Sequence, residues 1–213
     1  EKCLLAADVQ LFQESFEAAP GASYTLSSQF DDGGFDYFDR YSSPDNSNAA
    51  RDDFQNGFDG SFAIQGQDHD GDGNAATQTI TMTGIDVTGY VGLKVTVALA
   101  ALNSEPGFQN YEASTGDGIK IYATLDGGTR TLIGEFAPPA DGDGDLYLDT
   151  DGDGVGDGAI LTTNLTDFDF AVAGTGTLLD VEIELTSTDS FEPLVVDNVR
   201  VFGVDPLLFQ ESF

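Results

Sequence analysis

The sequence predicts an all-β protein: a single antiparallel β-sandwich or jelly roll of about ten strands with long Asp- and Gly-rich loops. Three observations lead there. Apolar and polar residues alternate with a period of two over many short segments, and no segment carries a convincing helical spacing. The joints between those segments are rich in turn residues. A length of 213 residues, 40% of them hydrophobic and including 16 Phe and 7 Tyr, fills one large core, and sandwiches often reach this size as one domain.

The expected organisation is an N-terminal arm over 1–8, the sandwich over 9–203, and a connector with a repeated strand over 204–213. Residues 9–17 read as the first strand, with Phe12 and Phe16 on one face. Residues 24–30 and 35–41 are short strand candidates. Phe30, Phe35, Phe38, Phe54, Phe58 and Phe62 are spaced irregularly between acids and turns, which reads as plugs pinning loops to the core, or else as an aromatic platform. From Thr77 the alternation is clear. Ile80 and Met82 share a face, as do Leu93, Val95, Val97 and Leu99. Ile119, Ile121 and Ala123 oppose Lys120, Tyr122 and Thr124, and the turn Asp126-Gly127-Gly128 suits a hairpin. Phe168 and Phe170 mark a short strand. Val181, Ile183 and Leu185 alternate with Glu182 and Glu184, and 194–202 forms the last strand.

The acidic turns carry the chemistry. Residues 149–158 read Asp-Thr-Asp-Gly-Asp-Gly-Val-Gly-Asp-Gly, with acids at the first, third, fifth and ninth places and Gly154 at the sixth. Side chains at alternate positions of such a loop converge on one calcium ion, and glycine permits the turn. Like charges about 4 Å apart cost roughly 1 kcal/mol per pair in water and several times that near a protein surface. A hard divalent cation relieves that cost. Ile160 stands where an EF-hand has its bidentate glutamate. The loop resembles instead those of thrombospondin type-3 repeats, a likeness which implies that a neighbouring segment completes the site. Asp141, Asp143 and Asp145 repeat the spacing without the glycine. Asp68-His69-Asp70-Gly71-Asp72-Gly73-Asn74 repeats it well. The expected Ca2+ ligands are Asp149, Asp151, Asp153, Asp157 and the Val155 carbonyl for one ion, and Asp68, Asp70, Asp72 and the Asn74 carbonyl for another. The plainer reading is that each run is a solvated turn; three runs in one chain favour calcium.

The net charge of −31, from 38 acids against 7 Lys plus Arg, argues against nucleic acid, which needs a basic footprint, and against an anionic membrane surface. Calcium loading, a saline habitat, or both fit it. The single Cys3 allows no internal disulfide. No run of 18 apolar residues spans a membrane. Because calcium is abundant outside cells, the expected location is extracellular or at the cell surface. One His, one Cys and no nucleophile motif leave little room for triad or thiol chemistry, and His69, inside an acidic turn, is expected exposed or as a peripheral ligand.

Leu11-Phe12-Gln13-Glu14-Ser15-Phe16 returns as Leu208-Phe209-Gln210-Glu211-Ser212-Phe213. A hexapeptide repeated at domain spacing signals either a tandem array, one module and the start of the next, or a strand added to another copy.

Glu192-Pro193-Leu194-Val195-Val196-Asp197-Asn198-Val199-Arg200-Val201-Phe202-Gly203, with Glu14-Ser15-Phe16-Glu17 and 174–181, resembles jelly-roll modules of secreted prokaryotic surface proteins, similar to galactose-binding-like and MAM-like domains. The resemblance implies that this last strand lies beside the first and that a structural ion sits near both, making Glu17 and Asp197 candidate ligands. Independently, Asp197 shares a strand face with Val195, Val199 and Val201, where a carboxylate needs a cation or strong hydrogen bonds. Backbone amides at a bulge would serve equally. The expected function is that of a non-catalytic, calcium-stabilised structural module of a surface fibre, adhesin or sheath, partnered by copies of itself or tandem modules. The alternative is a calcium-dependent carbohydrate-binding module using Tyr37 or Tyr41, with the absence of Trp counting against glycan stacking.

Overall fold

The computed structural model describes residues 8–21, 23–42, 56–102, 111–140 and 142–206. Residues 1–7 with Cys3, Phe54, Asp141 and the repeated hexapeptide 208–213 lie outside them. Thirteen strands form among the described residues: β1 (Asp8–Glu14), β2 (Thr25–Leu26), β3 (Phe30–Asp31), β4 (Tyr37–Ser42), β5 (Phe62–Gln67), β6 (Thr77–Asp86), β7 (Val91–Ala101), β8 (Gly118–Leu125), β9 (Thr131–Ala137), β10 (Tyr147–Leu148), β11 (Thr166–Ala171), β12 (Leu178–Thr186) and β13 (Leu194–Val204). The only helical element among them is a 3-10 turn, Gly71–Gly73.

Two antiparallel sheets face each other, as the alternation predicts. One runs β11-β7-β13-β5-β4-β3 with β1 also on β13; the other runs β10-β9-β8-β12-β6-β2. The period-two strands supply the core. Leu179, Val181, Ile183 and Leu185 of β12 are buried beside Ile80 and Met82 of β6 and Ile119 and Ile121 of β8. Val95, Val97, Leu99, Val199 and Val201 face them from the other sheet and belong to the same cluster. Each such side chain contributes about 1.5–3 kcal/mol on burial. On the outer face of β12, Glu182 and Glu184 both pair with Arg130, whose guanidinium lies 3.3 Å from the Tyr122 ring centroid.

β1 stops at Glu14, short of the expected Glu17. Phe16 takes a left-handed φ of 57° yet is fully buried, edge-on to Tyr24 at 4.9 Å. The Glu14 carboxylate holds this bend, accepting the Phe16 N–H at 2.6 Å and the Ser23 hydroxyl.

β13 organises its sheet. β7 pairs along one side of it. The other side is divided: β5 pairs with Leu194–Val196 and β1 with Val199–Val204. Asp197 and Asn198 fall at the division, where Asn198 has φ 47° and the register with β7 shifts.

Candidate functional site

The loop after β10 is built onto the sheet. The Asp149 N–H donates to the Glu135 carbonyl at 2.9 Å, Gly156 N–H to Pro138 at 2.9 Å, and Leu148 accepts from both Asp157 (3.1 Å) and Gly158 (2.7 Å). A Cβ at Gly156 would collide with the Ala137 carbonyl and Tyr147, so glycine is required for this close approach.

Within that frame the Asp149 carboxylate accepts the Gly152 N–H at 2.7 Å and the Gly154 N–H at 2.8 Å. Burial raises its pKa, but the amides of Gly154, Gly152 and Asp151 outweigh burial and hold it below the usual carboxylate range. Asp151 is fully exposed and raised, chiefly by the adjacent Asp153. Oxygens of Asp149, Asp151 and Asp153 all lie within 4.8 Å of one another, the only such group of three among the described residues. Three converging hard oxygens suit calcium. Asp157 stands apart from the trio, accepting the Thr150 N–H (2.9 Å) and hydroxyl (2.8 Å). Beside the trio runs a cleft of about 300 Å3, lined by Leu132–Glu135 on one wall and Asp149–Gly152 on the other.

The other expected ligands are placed differently. The Asp68 carboxylate accepts the Ser190 hydroxyl at 3.0 Å, and Asp70 precedes the 3-10 turn without capping it. The Asn74 side chain donates to the Gly71 carbonyl at 3.1 Å, and the Asp72 side chain lies outside what is described. Asp143 lies near Glu112 rather than in the Asp149 group, and Asp145 is not in that group either.

Glu17 and Asp197 come near one another. Asp197 is fully buried and accepts the Asp59 N–H at 2.7 Å and the Asn198 N–H at 2.6 Å. Burial pushes it to about 7 despite those amides, and the charges of Asp59 and Glu17 add to the rise. Glu17 accepts the amides of Ser61 (2.7 Å) and Phe62 (2.9 Å).

Two expectations are overturned. His69 is fully buried, not exposed. Its Nδ1 lies 3.1 Å from each of the Ala76 and Leu185 carbonyls, and burial lowers it to about 4. Gly66 makes this possible, since a Cβ there would overlap the His69 ring. Tyr37 is also fully buried, packed edge-on to Tyr41 at 5.5 Å, so it presents no stacking face; Tyr41 is half-buried. Sequence reading also missed Glu192 and Asp117, both buried acids. Neither belongs to an alternating run, and only the tertiary fold brings them together.

No protein-family model and no curated protein matches the chain. Solved structures with a similar arrangement include the CBM22-1 xylan-binding domain of Xyn10C from Paenibacillus barcinonensis, at 12% identity over 94% of this chain and 97% of that one, TM-score 0.45. The K1 cleaved adhesin domain of Lys-gingipain from Porphyromonas gingivalis matches at 16% identity over 89% and 96%, TM-score 0.46. TmCBM61 in complex with β-1,4-galactotriose matches at 9% identity over 89% and 94%, TM-score 0.46. With TM-scores below 0.5, these likenesses decide nothing about what this chain binds.

Proposed function

We propose that the chain is a non-catalytic extracellular module whose Asp149–Asp153 loop takes calcium and whose adjoining cleft takes a polar ligand, a glycan being the class that fits best. The observation carrying this reading is that the cleft and the acidic trio share a wall: Asp149 and Asp151 line both. A bound calcium would present free coordination positions to vicinal hydroxyls there, while Leu132, 41% exposed, offers an apolar rim to a sugar face. Tyr41 is outside that cleft, so the stacking surface expected from sequence is not needed. The test is a carbohydrate array read with calcium and with chelator. Saturable, calcium-dependent binding that disappears in Asp151→Asn supports the reading; binding indifferent to both refutes it.

A second reading, the repeating unit of a fibre or sheath, is supported by what residues 11–16 do in the fold. Their copy at 208–213 has the sequence to take the place of β1 on the β13 of another copy and seat a phenylalanine as Phe16 does. Deleting 207–213 should leave a folded protein that no longer associates in gel filtration. Unchanged association would remove strand exchange from consideration.

A further inference from the structure

Residues 56–60 lead toward β5 and are fastened at two points. Asn56 forms a parallel bridge with Asn164, just before β11. Its carbonyl accepts the Leu165 N–H at 3.2 Å, and its side-chain Nδ2 donates to the Asn164 Oδ1 at 3.2 Å. Three residues on, the Asp59 N–H donates to the buried Asp197 carboxylate at 2.7 Å. Between these fastenings Gly57 takes a left-handed φ of 93°. A Cβ on it would come within 2.7 Å of the Leu165 carbonyl oxygen, so glycine alone fits.

Among the described asparagines, Asn56, Asn74, Asn164 and Asn198, only Asn56 is followed by glycine. An asparagine side-chain carbonyl is placed to close a five-membered ring with the backbone nitrogen of the next residue. A side chain on that next residue shields the nitrogen, and Gly57 has none. Asn56 and Gly57 are both exposed, and the Gly57 N–H has no partner among the described residues. Ring closure requires that N–H to give up its proton, which leaves negative charge on the Asn56 carbonyl oxygen. The Leu165 N–H already donates to that oxygen and stabilises the charge as it forms, in the manner of an oxyanion hole.

We propose that Asn56–Gly57 is a self-modification site, a slow covalent clock in the segment that holds Asp197. The Gly57 nitrogen bonds to the Asn56 Cγ while the Cγ–Nδ2 bond breaks. Water carries the Gly57 proton to the departing nitrogen, which leaves as ammonia. A second water opens the cyclic imide at either carbonyl, giving aspartate or isoaspartate. Either product sets a carboxylate against the Asn164 oxygen in place of the Nδ2 donor. Isoaspartate also adds a methylene to the backbone beside Gly57, where Leu165 leaves no slack. The segment then lifts from β11 and draws the Asp59 amide away, so the buried Asp197 carboxylate keeps one amide fewer.

The chain is aged in mildly alkaline buffer at body temperature, folded and also unfolded in guanidinium chloride, and followed by intact mass and peptide mapping. The folded chain is expected to gain about 1 Da at Asn56. Its rate should fall within about tenfold of the unfolded chain's, the Leu165 hydrogen bond offsetting much of the lost freedom. Asn56→Gln, which would need a larger ring, should gain no mass at that position. A folded chain left unmodified at Asn56 while the unfolded chain converts would show that the fold protects the site, and the proposal falls. The aged product, separated by ion exchange, should exchange the Leu165 and Asp59 amide hydrogens at least about tenfold faster than the fresh chain. Unchanged exchange at both amides would sink the clock. No calcium or ligand enters these readouts, so neither result bears on binding at the Asp149 cleft.

Discussion

The Asp149 loop and the Glu192 pocket handle crowded carboxylates in opposite ways. In the loop the acids stand in or near water, and backbone amides turn inward to satisfy Asp149. The chain bends around the negative charge. Around Glu192 the burial is complete and donors are scarce, while the charges of Asp117, Asp189 and Glu112 add to the rise of its pKa. Exposure makes a charged loop cheap to hold; burial makes the protonation of its carboxyl matter to the fold. A change of charge in the second region should therefore be felt more strongly in stability than one in the first.

The largest expected effect is a pH dependence without calcium. The folded pKa of Glu192, about 9, lies above its ordinary value of 4.5. Its favourable contribution is therefore complete below about pH 4.5 and is lost as pH rises to about 9. Allowing water to halve the full shift, the loss is on the order of 3 kcal/mol. His69, depressed to about 4, works the other way, favouring the fold above about 6.5 and destabilising it as pH falls through about 4. It is common to both proteins, so the difference between parent and Glu192→Gln denaturation curves in chelator isolates Glu192. A flat difference across pH 4.5–9 would contradict the raised pKa of the buried carboxyl.

Next in size is calcium itself. At an ion concentration about a hundredfold above Kd, binding should add about 2–3 kcal/mol to unfolding, and chelation should remove it. Most of that gain should vanish in Asp151→Asn, whose carboxylate belongs to the convergent trio; an unchanged gain would remove the trio as a binding site. The smallest change is local. Gly156→Ala should cost about 1–3 kcal/mol by forcing the loop off the Ala137 carbonyl, and should abolish calcium binding by the trio while leaving the Glu192 region intact by chemical-shift mapping.

The long strands were legible because one face of each is core: the register of Val181, Ile183 and Leu185 against β6 and β8 is written in their alternation. The two-residue strand β10 was not, since a period cannot be read over two positions, and the single strand expected over 24–30 resolves into β2 and β3, which join different sheets. The Asp149 trio was legible because its ligands are close in sequence. Asp197 was anticipated as an inward carboxylate, and the amides of Asp59 and Asn198 at the register shift are the bulge solution held open beside the ion. His69 misled because an acidic turn usually faces water; its burial depends on Gly66, a contact between strand and loop with no local signature. Glu192 was invisible for the same reason: besides Asp189 nearby, the acids acting on it, Asp117 and Glu112, are more than seventy residues away in sequence.

β1 and β13 bear a mechanical consequence. Asp8 pairs directly with Val204, so the polypeptide enters and leaves the sandwich at adjacent points. Modules strung in series would hang from their tether like pendants rather than lie in line with it. Tension applied at those two points would load the β1–β13 rungs one after another, peeling them as a zipper opens. Such a module yields early and extends, a shock absorber in a stretched strand rather than a rigid link.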